Sequence, residues 1–272
     1  MSDAIQDTLE RTAAVIRQAE GLLIGAGAGM GVDSGLPDFR GDAGFWKAYP
    51  ALFGRPFVEM ANPRWFQDDP ALAWGFYGHR LDMYRRTIPH EGFAILRRLA
   101  DRMPAGHFVF TSNVDGHFQK AGFASERIME CHGSIHHLQC SRPCGSEVWI
   151  TDDVTLEIDA ATLRAAEPWP MCPRCGSVAR PNVLMFGDWG WLSGRTAEQE
   201  RRYLEWWKAA RGRFIVAIEL GAGTAIPSVR YECEDRATRL IRINPREAQV
   251  PEGGIGIELG AREALGRLGG MV

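Results

Sequence analysis

The chain has 272 residues, 45% of them hydrophobic, and a formal net charge of −3. A chain of this length buries roughly three quarters of its unfolded surface, so one large domain or a domain with a small insert is expected. The near-balanced charge argues against polyanion binding, and no direct nucleic-acid contact is expected. There is no run of 18 apolar residues for a membrane span, and Met1–Asp7 lacks the basic-then-apolar order of a signal peptide. Six cysteines are too few for a disulfide framework. A cytoplasmic chain with reduced thiols, free to ligate metal, is expected.

Ile5, Leu9, Ala13 and Ile16 recur at helical spacing and predict an amphipathic helix over 3–20, with Ser2 as its cap. Gly21–Ile24 is a short apolar run ending in glycines, the pattern of a buried parallel strand. The aromatic-, Pro- and Arg-rich stretch 45–97 predicts a helical insertion, with helices near 62–86 and 90–101. Phe108–Phe110, Ile128–Met129, Phe214–Ile218 and Leu240–Ile243 predict further strands, and 195–210 and 261–268 predict helices. Val148–Ile150 predicts a strand inside a cysteine-bearing module over 140–178. Strands alternating with helices give an α/β fold, a doubly wound parallel Rossmann-like sheet with a small zinc-ribbon module and a helical insertion. The sheet domain is expected over 1–44, 98–139 and 179–272. Nine tryptophans predict extensive aromatic packing.

Cys140-x3-Cys144 and Cys172-x2-Cys175 have the paired spacing of four thiolates around a tetrahedral zinc. Four thiolates fill the tetrahedron, so the metal is expected to be structural. Cys131 and Cys233 are left over as ordinary buried thiols. Gly25-Ala26-Gly27-Ala28-Gly29-Met30-Gly31 follows a strand and suits a phosphate cradle, because glycine lets backbone approach a pyrophosphate closely. The glycines alternate instead of following G-x-G-x-x-G, and no strand-ending acid follows about 20 residues on. Taken alone, the turn fits a tight strand-to-helix connection equally well. The loop Ser34–Gly41 places Asp38, Phe39 and Arg40 together, which suits hydroxyl, ring and phosphate recognition.

The ordered set Gly27–Gly41, Thr111-Ser112-Asn113-Val114-Asp115, Ala121-Gly122, Cys131-His132-Gly133, the four cysteines, Arg180–Asp188 and Ile243-Asn244 resembles the sirtuins, the NAD-dependent protein deacylases. The resemblance runs from about residue 20 to about residue 265. It implies NAD as co-substrate, a structural zinc, and an acyl-lysine protein or peptide as substrate. It implies that His132 is the general base, since an imidazole titrates near neutrality. By the same resemblance Gly27, Ala28, Gly29, Asp38, Phe39, Arg40, Ser112, Asn113, Asp115, Gly221, Gly223, Asn244 and Ala261 contact NAD. Asn113 and Asp115 line its nicotinamide pocket, and Phe39 shields the reactive sugar carbon. Val183, Met185 and Phe186 meet the peptide, mostly through backbone pairing. Tyr77 and Arg80 stand three apart on one helix face. They are similar to the Tyr-x-x-Arg pair of the desuccinylase and demalonylase branch, where the Arg pairs with a distal carboxylate; a solvated Arg on an amphipathic helix is the plain alternative.

Four positions depart from the family pattern. Gly31 stands in place of Ser, Ser112 in place of Gln, Gly221-Ala222-Gly223 in place of Gly-Thr-Ser, and His117-Phe118 in place of Leu-His. The first three remove side-chain donors near the expected NAD site. An ADP-ribosyltransferase or NAD hydrolase on the same fold, and a non-catalytic zinc-ribbon binding module, are the competing readings.

Overall fold

The computed structural model describes residues 3–37 and 41–272. Its strands are β1 (Gly21–Ala26), β2 (His107–Thr111), β3 (Ile128–Glu130), β4 (Gly133–Cys140), β5 (Val148–Ile150), β6 (Ile158–Asp159), β7 (Arg164–Ala165), β8 (Ala179–Val183), β9 (Ile215–Leu220), β10 (Arg239–Ile243) and β11 (Ile255–Ile257). Its helices are α1 (Asp3–Gln18), α2 (Gly29–Val32), α3 (Gly41–Ala48), α4 (Phe57–Met60), α5 (Trp65–Asp68), α6 (Pro70–Arg86), α7 (Glu91–Ala100), α8 (His117–Lys120), α9 (Gly194–Ala209), α10 (Ser228–Arg236) and α11 (Ala261–Gly269). The main sheet runs β11-β10-β9-β1-β2-β3, and every pairing in it is parallel. Strand order reverses between β1 and β9, the switch point of a doubly wound sheet.

The apolar runs are strands because both faces are covered. Leu22, Ile24 and Ala26 of β1 pack in one core with Leu9 of α1, Phe93 and Leu96 of α7 and Leu265 of α11. Leu23, on the other face, packs with Tyr203 and Trp206 of α9 and with Val229 and Cys233 of α10. α7 reaches past 97, the expected end of the insertion, and its apolar face belongs to this sheet core.

The expected helix over 62–86 divides into α5 and α6. Pro70 begins α6 at a position where a missing N–H costs nothing, and Asp69 accepts from Leu72 N at 3.2 Å as its cap. Ser2, the expected cap of α1, lies outside the described residues. Strands β4, β8 and β11 and helix α10 had no clear pattern in the sequence. β4 carries Ser134, His136, His137 and Gln139, and its pairing with β8 shifts register between Ser134 and Leu138. α10 reads Ser-Val-Arg-Tyr-Glu-Cys-Glu-Asp-Arg and buries only Val229, Arg230 and Cys233.

A second core joins α6, β4, β8 and the cysteine-bearing segment, with Trp74, Phe76, Tyr77, Ile135, Leu163 and Met185 among its buried residues. Trp74 donates to Ala179 O at 3.0 Å, and Arg164 forms two 2.8 Å bonds to Asp69. At Gly75 a Cβ would lie 1.9 Å from Leu163 O, so α6 approaches β7 as closely as glycine allows. Trp74 and Trp206 are buried, whereas Trp189 is 99% exposed.

At the switch point the turns after β1 and β9 touch through main chain. A Cβ on Gly27 would lie 2.6 Å from Ala222 Cα, and one on Gly221, whose φ is +57°, would lie 2.4 Å from the Gly29 carbonyl carbon. Gly221→Ala is therefore expected to cost about 2 kcal/mol or more in denaturant unfolding. Gly223→Ala, whose Cβ meets only Glu247 Oε2 at 3.8 Å, should change stability by less than about 0.5 kcal/mol.

Candidate functional site

Parallel register puts the carboxyl ends of all six strands on one row. Glu130 pairs with Thr111, Thr111 with Ala26, Ala26 with Leu220, Leu220 with Ile243, and Ile243 with Ile257. The motifs singled out in the sequence begin one step beyond that row. Cys131-His132-Gly133 follows β3, Ser112-Asn113 follows β2, Gly27–Gly29 follows β1, Gly221–Gly223 follows β9 and Asn244 follows β10. Ligands of doubly wound sheets bind along this edge, at the point where strand order reverses.

The two glycine-rich turns are tied directly. Gly27 N donates to Leu220 O, Gly29 N to Gly221 O and Gly221 N to Ile243 O, each at 3.0 Å. Ala28 stands exposed at the tip of the first turn, and Thr224 and Ala225 are exposed just beyond the second. Asn244 is fully buried and its amide is spent on the protein. Nδ2 donates to Ala222 O at 3.0 Å, and Oδ1 accepts from Arg246 N and Glu247 N at 3.1 Å. Arg230 also donates to Ala222 O, at 3.1 and 3.2 Å. A narrow cleft of about 60 Å³ lies between Gly29, Val32, Gly221, Ile243, Gly260 and Ala261. Asp38, Phe39 and Arg40 lie outside the described residues.

Asn113 Nδ2 donates to Gly27 O at 2.9 Å, which ties the β2 loop to the first turn. Asp115 is buried, and its Oδ1 accepts from His117 N at 2.9 Å. Burial pushes its pKa up to about 6, against the opposing effects of that bond and of Arg80. His132 is half-buried between β3 and β4. Desolvation lowers its pKa below the ordinary 6.5, and a hydrogen bond to the Ser112 main chain partly offsets this. The imidazole is thus neutral and ready to accept a proton at neutral pH. Its carbonyl accepts from Leu184 N at 3.0 Å. Gly133 must be glycine, because its φ is +76° and a Cβ would meet Asn182 O at 2.1 Å.

Val183 and Met185 are buried in the second core, so their side chains do not face a peptide; Leu184, at 38%, is the exposed one. The N–H groups of Leu184, Met185 and Phe186 bond to His132 O, Asp188 Oδ2 and Ala61 O. Asp188 holds the segment's end in a buried pair with Arg180, at 2.8 Å. Tyr77 and Arg80 are both buried on α6. Arg80 donates to Tyr84 OH at 2.8 and 3.1 Å and lies over the Phe76, Tyr77 and Tyr84 rings. Burial works against its charge, but a guanidinium keeps its proton in such surroundings. The Tyr77 hydroxyl has no hydrogen-bond partner among the described residues, and burial pushes its pKa up to about 12.

The ligand atoms of Cys140, Cys144, Cys172 and Cys175 all lie within 4.8 Å of one another. Cys140 and Cys175 are 3.6 Å apart, and Cys144 and Cys172 are 3.7 Å apart. A tetrahedron with Zn–S bonds of about 2.3 Å has edges of about 3.8 Å, so the donor set fits zinc with no position left for water. The second pair is shaped by its turn, in which Gly176 N donates to Cys172 O and Gly176 has φ +67°.

The profile described as the Sir2 family matches residues 27–197. The chain belongs to the Sir2 family. Among curated sirtuins, a relative from Thermococcus kodakarensis named an NAD-dependent protein deacylase is 30% identical over 245 residues, 89% of this chain and 86% of its own. One of the same name from Aquifex aeolicus is 29% identical over 226 residues, covering 82% and 83%. Among solved sirtuin structures, a Sir2 homologue in complex with NAD matches with a TM-score of 0.70 at 24% identity, over 96% of this chain and 92% of that one. A Sir2 enzyme bound to a propionylated peptide matches at 0.68 and 19%, over 97% and 99%. These structural likenesses establish the shared fold.

Several residues that build the site carried no signal in the sequence. Arg230, not singled out in the sequence, is a buried anchor of the second turn, and Arg180, noted there only as part of the Arg180–Asp188 segment, is a buried anchor of that segment. Thr196 and Gln199, which bond the main chain of Glu130, sit in a helix that reads as charged.

Substituting Cys172→Ser is expected to remove the bound zinc, about one per chain by elemental analysis, and to lower the melting temperature sharply. A second outcome concerns acid. Burial depresses His117 and His137 to about 4 from 6.5. Between those values the unfolded chain binds the extra protons, so stability falls as pH drops from about 6.5 to 4. Asp115 acts oppositely between 3.8 and about 6. The two imidazoles, joined by downward shifts at His79, His90, His107 and His132, outweigh it. Thermal melts across this range should show the decline, and His117→Leu should flatten it.

Proposed function

We propose that this sirtuin is an NAD-dependent protein-lysine deacylase. The observation that carries the reading is the single edge on which neutral His132, Asn113 and Asp115 stand beside the two interlocked dinucleotide turns. The segment 183–186 runs directly against His132. The named relatives are deacylases, and the four-cysteine cluster suits a structural zinc.

The acyl oxygen of an acyl-lysine attacks the anomeric carbon of the nicotinamide ribose, and the bond to nicotinamide breaks. Asn113 and Asp115 line the pocket that holds the carboxamide. His132 then takes a proton from a ribose hydroxyl, whose oxygen adds to the acyl carbon. With one water consumed, the products are lysine amine, nicotinamide and O-acyl-ADP-ribose. Ala28, the backbone of Gly27, Gly29, Gly221 and Gly223, and Asp38, Phe39 and Arg40 contact the dinucleotide in this reading. Backbone amides take over from the side-chain donors absent at Gly31, Ala222 and Gly223. Ser112 presents its main chain to His132, and Asn244 acts from behind by fixing Ala222. The reading places the protein in a reducing compartment, the cytoplasm, where its thiols stay reduced.

An acidic acyl group is favoured by one observation. Buried Arg80 is close enough to Asp115 to lower its carboxyl pKa, and the buried Tyr77 hydroxyl, without a hydrogen-bond partner among the described residues, feels both Arg80 and the Arg180–Asp188 pair. A succinyl or malonyl carboxylate there gains a charge-assisted bond in a site shielded from water.

Purified protein given NAD and acetyl- or succinyl-lysine peptide should release nicotinamide only when acyl peptide is present. His132→Ala should lower deacylated product by about 10²-fold or more. Nicotinamide release without peptide would establish NAD hydrolysis instead, and no release would favour the binding module. Arg80→Met should lower desuccinylation by about 10²-fold while deacetylation changes little. Equal losses would end the acidic-acyl assignment.

A further inference from the structure

β3 is the edge strand of the main sheet, and it is only three residues long. An edge strand leaves alternate N–H and C=O groups unpaired. Cys131 N turns inward and bonds Thr111 O at 2.9 Å, so Glu130, its neighbour, turns both main-chain groups outward. Among the described residues no strand meets them. Two side chains of α9 do. Gln199 Oε1 accepts from Glu130 N at 3.0 Å, and Thr196 Oγ1 donates to Glu130 O at 3.3 Å. The Glu130 carboxylate is held as well, by Gln199 Nε2 at 3.1 Å and by Arg195. Glu130 is 1% exposed, Gln199 4% and Thr196 6%.

The register of α9 explains how one helix does this. Thr196, Gln199, Tyr203 and Trp206 are its buried residues and form one stripe at helical spacing. The aromatic half packs on Phe108, with ring centroids 5.2 and 5.9 Å away. The polar half reaches the strand edge, where main chain needs partners. Two residues beyond Glu130 stands His132.

We infer that Thr196 and Gln199 are positioning residues for His132. They act as a substitute strand that fixes the main chain of Glu130, and through it the height of the imidazole above the sheet edge. Neither touches a reacting atom. This inference rests on the deacylase reading, in which His132 is needed only after nicotinamide has left.

That order supplies the test. Acyl-peptide-dependent exchange of labelled nicotinamide into NAD reports the first step, and deacylated peptide reports the whole reaction. Thr196→Val keeps the shape and removes the hydroxyl, and Gln199→Met keeps the length and removes the amide. Each is expected to retain exchange within about threefold while deacylation falls on the order of 10²-fold, the cost of misplacing a catalytic group by about 1 Å. Thr196→Ser should restore deacylation, and His132→Ala should show the same split. Equal loss of exchange and deacylation, or full deacylation by both variants, would overturn the inference. Absence of exchange in the unsubstituted protein would instead count against the deacylase reading. Thr196→Val alone carries the test if Gln199→Met does not fold.

Discussion

The structure depends on the closeness of two main-chain turns, Gly27–Gly29 and Gly221–Ala222. β1 and β9 are neighbours over six paired residues, and the chain leaves both at the same level. Any Cβ on Gly27 or Gly221 would enter the opposite backbone. The contact brings the amide-rich ends of two strands to one place and lets Asn113 reach the Gly27 carbonyl. Gly25 adds to this from below, since a Cβ there would lie 2.2 Å from Cys233 Sγ on α10.

Buried ion pairs stand beneath the loops that must keep their shape. Glu219, two residues before Gly221, pairs with Arg242 at 2.7 and 2.8 Å, and the two side chains are 0% and 2% exposed. Arg180 and Asp188 do the same for the 183–186 segment. Such pairs contribute little net stability over apolar residues, yet removing one partner strands a buried charge at about 3–5 kcal/mol. Their directional bonds fix loop positions in a way that apolar contacts do not.

Burial also sets the chemistry. His132 and Asp115 both lose hydration, and the loss moves both toward their neutral forms, downward for the imidazole and upward for the carboxyl. Arg80 remains charged because a guanidinium keeps its proton even when buried, and the Tyr84 hydroxyl accepts two of its N–H groups. Burial therefore leaves a neutral imidazole at His132 and a carboxyl titrating at about 6 at Asp115, and the permanent cation of Arg80 acts on the latter.

The sequence by itself determined the family, the parallel sheet and the four-thiolate set. These are local: buried parallel strands are continuous apolar runs, close turns need glycine, and a tetrahedral metal needs paired cysteines at short spacing. Tertiary structure decided what local pattern does not encode. The polar strand β4 exists because β5 and β8 flank it, and α10 is a helix because Val229 and Cys233 meet the sheet core. Val183, the last residue of β8, and Met185, two residues beyond it, turned inward because both pack in the second core. Asn244 became a loop anchor, and Gln199 and Thr196 partners of Glu130, because hydrogen-bonding partners 22, 69 and 66 residues away arrive only when the chain has closed. A single sequence states which groups a residue offers; which of them are already taken is settled only by the fold.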